Sequence, residues 1–274
     1  MKKKRRASDI QSVIMTVLSL MTVITSISMG LLLYNRYETA MRQNDVRDAQ
    51  NMMETIVNSM EQYLKRQISD TANYNIIQAL DISSPEFNQE LSLLYDSNKD
   101  KIQSIALYDM EGELLVAEPV TLQKEGVEVS RQSWFENAKA KIENMHFSTP
   151  HMQDLFQDDA KRYHWVISLS RAVDVIDGDS PENGILLVDM KYSFIEEMMD
   201  RINDRTRGRY YYLCDREGKL IYHPYANEIS NGLFQENSVL ASSSEDGIYR
   251  NLRSPHGERQ TMIVNTISYT GWKL

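Results

Sequence analysis

Ile105-Ala106-Leu107-Tyr108-Asp109-Met110-Glu111-Gly112-Glu113-Leu114-Leu115 and, 106 residues later, Tyr211-Tyr212-Leu213-Cys214-Asp215-Arg216-Glu217-Gly218-Lys219-Leu220-Ile221 are one pattern written twice. Each copy reads apolar strand, Asp-x-Glu-Gly, apolar strand. An aspartate can accept from the backbone amides ahead of it, and a glycine takes the positive φ that closes a tight turn, so each copy predicts a β-hairpin. One such hairpin is common and says little. Two, each opening a similar series of elements, indicate a duplicated sheet module.

After the first hairpin, Ser133-Trp134-Phe135-Glu136 reads as a capping box, in which the serine and glutamate satisfy each other's free amides at the start of a helix running to about Glu143. Tyr163 to Val173 and Gly184 to Met190 read as strands joined by the turn-rich stretch from Asp177 to Gly184. Ser193-Phe194-Ile195-Glu196 predicts a second capping box, opening a helix that buries Phe194, Ile195, Met198, Met199 and Ile202. The second unit repeats the order: a hairpin from Tyr210 to His223, a polar stretch, then strands near Gly247 to Leu252, Arg259 to Ser268 and from Gly271 onward. Arg259 to Ser268 answers Tyr163 to Val173, and Gly271-Trp272-Lys273-Leu274 answers Gly184-Ile185-Leu186-Leu187. A last strand of four residues reads as truncated, and the chain as the front end of a longer protein; a naturally short product is the alternative.

Ahead of the repeat lies a different material. No residue from Ile10 to Asn35 carries a formal charge, and Ser12 to Tyr34 as a helix would be roughly 35 Å long, enough to cross a hydrocarbon core of about 30 Å. The preceding Lys2-Lys3-Lys4-Arg5-Arg6 places the N-terminus in the cytoplasm and the bulk of the chain outside the cell membrane, as a single-pass protein. A cleaved signal peptide is the competing reading, but the apolar run is too long and Ser26-Ile27-Ser28 is a poor cleavage site. Ser12, Thr16, Ser19, Val23, Ser26 and Gly30 share one stripe, which suits close pairing of two spans, although hydroxyls can also bond their own helix. From Asn35 the chain lacks Gly and Pro to about Leu80, and Val46, Ala49, Met53, Ile56, Met60, Leu64 and Ile68 keep a three-four alternation. This predicts a long amphipathic helix whose narrow stripe faces either the domain behind it or a sister helix in a homodimer. Ser83-Ser84-Pro85 ends the pattern, and Phe87, Leu91, Leu94 and Tyr95 open a further helical piece.

The expected architecture is therefore α+β: a basic tail (1–11), a transmembrane helix (12–34), a long helix (35–82), a membrane-distal sheet unit (83–205) and a membrane-proximal one (206–274). The first nine residues carry +4, five basic against one acidic, so the rest carries −13 of the net −9. An acidic ectodomain argues against nucleic acid as a partner. The lone Cys214 excludes an internal disulfide, and its apolar neighbours predict a buried strand thiol. There is no Asn-x-Ser/Thr sequon beyond the span, which leans toward a bacterial cell surface.

A basic start, one span, a long helix and two five-strand PAS-like units with Asp-x-Glu-Gly hairpins resemble the input region of a double Cache receptor, from about residue 10 to the end. His223-Pro224 and Gly271-Trp272 resemble the membrane-proximal unit of that family. Among such receptors the chain is most similar to bacterial two-component sensor histidine kinases, with chemoreceptors and diguanylate cyclases as siblings. The resemblance implies a small-molecule ligand in the distal unit. A subset that binds amino acids has Tyr and Arg ahead of a Trp-Tyr pair and an Asp on a late strand. Trp134-Phe135 matches the aromatic pair and Asp189 the acid. Gln132 stands in the arginine's slot with Arg131 one place off, and Val127 replaces the tyrosine, so the resemblance does not extend to a zwitterion, which needs a cation for its carboxylate.

The candidate ligand-binding residues are thus Arg131, Trp134, Phe135 and Asp189. Arg131 faces either an anionic ligand or solvent; Trp134 is a ligand wall or an anchor of the helix on the sheet; Asp189 ends its strand or points into a cavity. His146 and His151, split by Pro150, do not make a metal pair, and His164 reads as a half-buried strand residue. No nucleophile motif or glycine-rich phosphate loop occurs, so no catalytic residue, metal or cofactor is expected in these residues, and any enzyme activity belongs to a kinase parent. The leading reading is a sensor input region that relays a ligand-driven shift across the membrane. The alternatives are a membrane-anchored binding or assembly protein and a chemoreceptor input region.

Overall fold

The computed structural model describes residues 2–71, 81–119, 122–140, 145–157, 162–177, 180–203, 208–254 and 257–274. The chain divides into two compact units, residues 1–52 and 53–274. Helix α1 (Lys2–Thr71) is continuous, so the expected boundary between span and long helix is a change of composition and not a break. The helix was expected to run to residue 82, but Asp81 is in a β-bridge with Ile176 and Ile82 is in a turn, so it ends earlier; residues 72–80 lie outside the described residues.

In the first unit every large apolar side chain from Val13 to Tyr34 is more than half exposed. This is the one helix, among the described residues, long and apolar enough to cross a membrane. Thr16 donates to the Ser12 carbonyl at 2.8 Å and Thr25 to that of Met21 at 2.9 Å, so these hydroxyls serve their own helix.

In the second unit α1 turns Met53, Ile56, Met60, Tyr63 and Leu64 inward, all buried within this one chain. The narrow stripe therefore faces the domain behind it. Helix α2 (Pro85–Asn98) starts as its sequence dictates: Ser84 Oγ accepts from the Phe87 amide at 3.1 Å and Pro85 takes the first turn.

The distal sheet has β1 (Ile102–Asp109), β2 (Leu114–Glu118), β3 (His146–Phe147), β4 (His151–Met152), β5 (Trp165–Asp177) and β6 (Ser180–Lys191). Its order is β2-β1-β6-β5-β3, antiparallel throughout, with β4 also on β5. The stretch expected as a turn from Asp177 to Gly184 is mostly strand: β5 and β6 stay paired from Val173↔Gly184 out to Asp177↔Ser180. Only residues 178 and 179 lie outside the description there.

The proximal unit repeats this permutation. Strands β7 (Leu213–Cys214), β8 (Leu220–Tyr222), β9 (Gly247–Arg253) and β10 (Arg259–Val264) form two ladders, and the chain end bridges them, Lys273 pairing with Cys214 on one side and Thr266 on the other. The order is thus β8-β7-(Lys273)-β10-β9. Tyr108 pairs with Ile185 in the distal sheet, and the equivalent Cys214 pairs with Lys273. Lys273 therefore answers Ile185, one place off the sequence alignment, because a slip of one residue would send each side chain to the wrong face.

Both hairpins turn as expected. Asp109 Oδ1 accepts from the amides of Glu111, Gly112 and Glu113 at 2.7–2.9 Å, and Asp215 Oδ1 from Glu217 and Lys219 at 2.8–2.9 Å. Gly112 has φ +96° and Gly218 φ +86°. Helices α3 (Ser133–Ala140) and α4 (Ser193–Ile202) begin within one residue of the predicted start but not by capping boxes. The amides of Phe135 and Glu136 donate to the Gln132 carbonyl, and those of Ile195 and Glu196 to Tyr192. Each helix starts one residue early, with the residue ahead of the serine as its N-cap, so serine and glutamate stand out of register for the box. Residues 141–144, into which α3 was expected to run, are outside the description.

Candidate functional site

The distal sheet alternates, and its side chains at Ala106, Tyr108, Ile185 and Leu187 form one core with Trp134, Phe135 and Ala138 of α3 and Leu155 and Phe156 of the following loop. Trp134 tilts over Tyr108 at 5.5 Å and meets Phe135 edge-on at 5.7 Å. Ser170 of β5 donates to the Trp134 carbonyl at 2.9 Å, which ties α3 to the sheet.

Two residues along from Leu187, on the same face, the apolar surface gives way to polar groups. Asp189 is buried, and β6 continues past it to Lys191, so the aspartate does not end the strand. Ser168 Oγ donates to its Oδ1 at 2.5 Å and Ser104 Oγ to its Oδ2 at 3.0 Å. His151 Nε2 lies 3.3 Å from Ser168 Oγ. Its Nδ1 is 3.0 Å from the Thr149 carbonyl and 3.2 Å from Ser148 Oγ. Burial pushes the Asp189 carboxyl above its usual range, while the Ser168 and Ser104 hydroxyls and the His151 ring pull it back. The Tyr108 hydroxyl is buried without a hydrogen-bond partner, and burial, with Asp189 nearby, raises it also. A carboxyl with two donors has acceptor capacity to spare.

The structure brings Trp134, Phe135 and Asp189 to one face of one sheet. Trp134 is 8% exposed and Phe135 1%, so both are packed between the helix and the sheet. Arg131 stands apart: it closes a 3-10 turn (Val129–Arg131), its side chain is 79% exposed, and it pairs with Glu128 at 2.7 Å. Val127 packs at the margin of the core. Sequence reasoning missed Ser104, Ser168, Tyr108 and His151. Ser104, Ser168 and Ser170 were visible as polar positions at even spacing in apolar strands; His151 was not, because only the fold brings it beside β5.

The proximal unit has its own buried polar centre. Tyr210 donates to Glu236 Oε2 at 2.5 Å, His223 Nε2 lies 3.3 Å from the same oxygen, and the Asn237 amide donates to Oε1 at 2.9 Å. The Tyr225 amide donates to His223 Nδ1, which leaves the hydrogen on Nε2, facing the carboxylate. Burial alone would raise Glu236, but the His223, Tyr210 and Asn237 donors outweigh it and hold the carboxyl below its usual range. The rings of Tyr210, Tyr225, Phe234 and His223 form one cluster with centroids 5.0–6.1 Å apart, in which Tyr225 and Phe234 stack. Among the described residues no group of three His, Cys, Asp or Glu could hold a metal ion.

Comparison with solved structures places the fold. The ligand-binding domain of the Pseudomonas aeruginosa PAO1 amino acid chemoreceptor PctB in complex with L-Gln is 18% identical with TM-score 0.55, covering 80% of this chain and 85% of that one. That of the Pseudomonas fluorescens chemoreceptor CtaA in complex with L-isoleucine is 14% identical with TM-score 0.59, covering 84% and 91%. The extracellular domain of the putative histidine kinase vpHK1S-Z8 is 13% identical with TM-score 0.56, covering 84% and 93%. No curated protein matches by sequence. The Cache domain family profile matches residues 37–274, most of the chain, and with the paired sheets described above the chain belongs to the Cache domain family.

Proposed function

We propose that this chain is the extracytoplasmic ligand-sensing input region of a membrane signal-transduction receptor, taking a small solute in the distal unit. The observation that carries the reading is the Asp189 corner: a buried carboxyl held by two serines, with His151 behind it and a partnerless Tyr108 hydroxyl on the same face. An apolar wall with a few convergent polar groups and a perturbed carboxyl is the usual make-up of a small-molecule site. Asp189 would accept from an amine or hydroxyl of the solute and Trp134 and Phe135 would face its apolar body. Arg131, paired outward with Glu128, would contribute only by leaving that pair. The solute would accordingly be an amine or polyol in preference to a full zwitterion.

A sensor needs two states with different affinity for the solute, since equal binding shifts nothing. In this proposal α1 carries the difference, anchored to the domain by Met60 and Leu64 and crossing the membrane once with its N-terminus in the cytoplasm. A homodimer through the transmembrane and long helices would give the shift a partner to act on. A sensor histidine kinase is the output we favour, in line with the vpHK1S-Z8 fold; the PctB and CtaA folds favour a chemoreceptor as the second reading. Sequencing downstream of codon 274 separates the two.

The test is a thermal-shift screen of the full chain in a neutral detergent against amines, amino acids, organic acids and sugars. A stabilising hit lost in Asp189→Asn and in Trp134→Phe supports the site. Hits that both variants keep would move the solute elsewhere.

A further inference from the structure

On the second unit, a groove of about 670 Å³ runs along one face of α1 and is lined by Gln62, Tyr63, Lys65, Arg66, Lys101 and Phe194 among others. Beyond the first nine residues the chain carries −13, yet among the described residues no carboxylate lines this groove. Among the described residues, Lys65, Arg66 and Lys101 make no ion pair, whereas Arg42, Lys99, Arg131, Arg201 and Lys273 each have an acidic partner. Like charges along one groove repel one another, and an anion among them relieves that repulsion.

The floor adds a second sign. Tyr63 stacks on Phe194 with ring centroids 3.9 Å apart and 14° between planes. It is 7% exposed, and its hydroxyl is buried with no hydrogen-bond partner. A buried donor left unpaired is destabilising, and an acceptor relieves it. Burial also raises its ionisation well above the ordinary value, so it stays a donor at any physiological pH. Lys101 is fixed at the head of β1, its amide donating to the Asn98 carbonyl at 2.8 Å and its carbonyl accepting from the Lys191 amide at 2.8 Å.

We propose that this groove binds a small oxyanion, of the phosphate, sulfate or carboxylate class, between Lys65 and Arg66 on α1 and Lys101 ahead of β1, with the Tyr63 hydroxyl as a further donor. Arg66 supplies the planar fork that suits such an anion and the lysines supply point charges. Bound there, the anion bridges α1 to the start of the first strand of the distal sheet. The site shares no residue with the Asp189 corner and does not rest on the reading given to that corner.

The probes are inorganic phosphate, sulfate and citrate, added to the full chain in a neutral detergent against sodium chloride at matched ionic strength. The expected result is a melting temperature that rises with the logarithm of oxyanion concentration and not with chloride, and a saturable heat in calorimetry. In Lys65→Gln/Arg66→Gln/Lys101→Gln the response disappears while melting without oxyanion stays close to wild type. Tyr63→Phe melts at or above wild type without oxyanion and binds about tenfold more weakly, the loss of one hydrogen bond to a charged group. Response to citrate alone or to phosphate and sulfate alone supports the site and names the class. The proposal is overturned if chloride does as well, if the triple variant responds as wild type does, or if Asp189→Asn removes the response.

Discussion

Ser168 and Asp189 are direct partners across the β5–β6 ladder, and the serine hydroxyl donates to the carboxylate at 2.5 Å. Burial nevertheless leaves the Asp189 carboxyl above its usual range. A raised carboxyl contributes stability below its unfolded value, about 3.9, that is lost as pH rises through the folded value. Asp189→Asn removes the charge and keeps the shape. It should therefore melt at or above wild type at pH 7, with the gap narrowing toward pH 4, while ligand response is lost. Melting curves across pH check this, and a variant much less stable at pH 7 would contradict the assignment of burial as the dominant effect.

Glu236 has the opposite sign. Three donors hold its carboxyl below the usual range, so its contribution is present above an unfolded value of about 4.3 and lost as pH falls through the lower folded value. Glu236→Gln would set an amide against the Tyr210 and His223 donors. The expected cost is about 1–3 kcal/mol at neutral pH, with a shallower acid transition. Asp246 and Glu61 are also lowered, through Thr266 and Ser268, so the acid transition is reduced and not abolished. Urea titrations at pH 7 and pH 4 measure both effects.

Gly218→Ala tests the proximal turn. The glycine sits at φ +86°, and an added Cβ would meet the backbone nitrogen and Cα of Val239 at 3.0 Å. Backbone cannot swing aside as a side chain can, so strain and clash together should cost about 1–3 kcal/mol. Gly126, also at positive φ but with nothing within 4 Å, is the control, and its alanine variant should cost less. Equal losses in a denaturant titration would remove the Val239 contact from the account.

Leu64 is fully buried on α1, whereas a helix reserved for a sister copy would leave it exposed in one chain. Leu64→Ala should destabilise the second unit by about 2–5 kcal/mol whatever the protein concentration. A loss that vanishes on dilution would assign the stripe to a partner instead.

The duplicated hairpins were legible because they depend on local chemistry, an aspartate that reaches forward and a glycine at positive φ, and Asp109 and Asp215 do the same thing in the structure. The burial of Met53 to Leu64 was legible as a period, though not what covered it. Strand register was not: Lys273 could be placed only to within a residue, since pairing is fixed by the sheet and not by the strand alone. Capping failed for a related reason. Ser133 and Ser193 have the right spacing, but their helices start one residue earlier, at Gln132 and Tyr192, so each serine already lies in the first turn. The Asp189 corner was half visible. The acid stood out in an apolar run, while His151 reaches it across 38 residues of sequence, by way of a strand only two residues long.

Cys214 is the chain's only cysteine, fully enclosed in the strand that the chain end pairs with, its thiol pushed up to about 12 by burial, with Asp215 adding to the effect. In the folded molecule it is therefore inert, because it is neither reachable nor ionised. An alkylating reagent can consume it only when the fold around β7 opens, whether at the chain end or at the Ser238–Ser243 helix, whose Ser238 carbonyl the thiol faces at 3.8 Å. The rate of that consumption is a native stopwatch for the proximal sheet, readable by mass spectrometry in the unaltered protein and in the membrane.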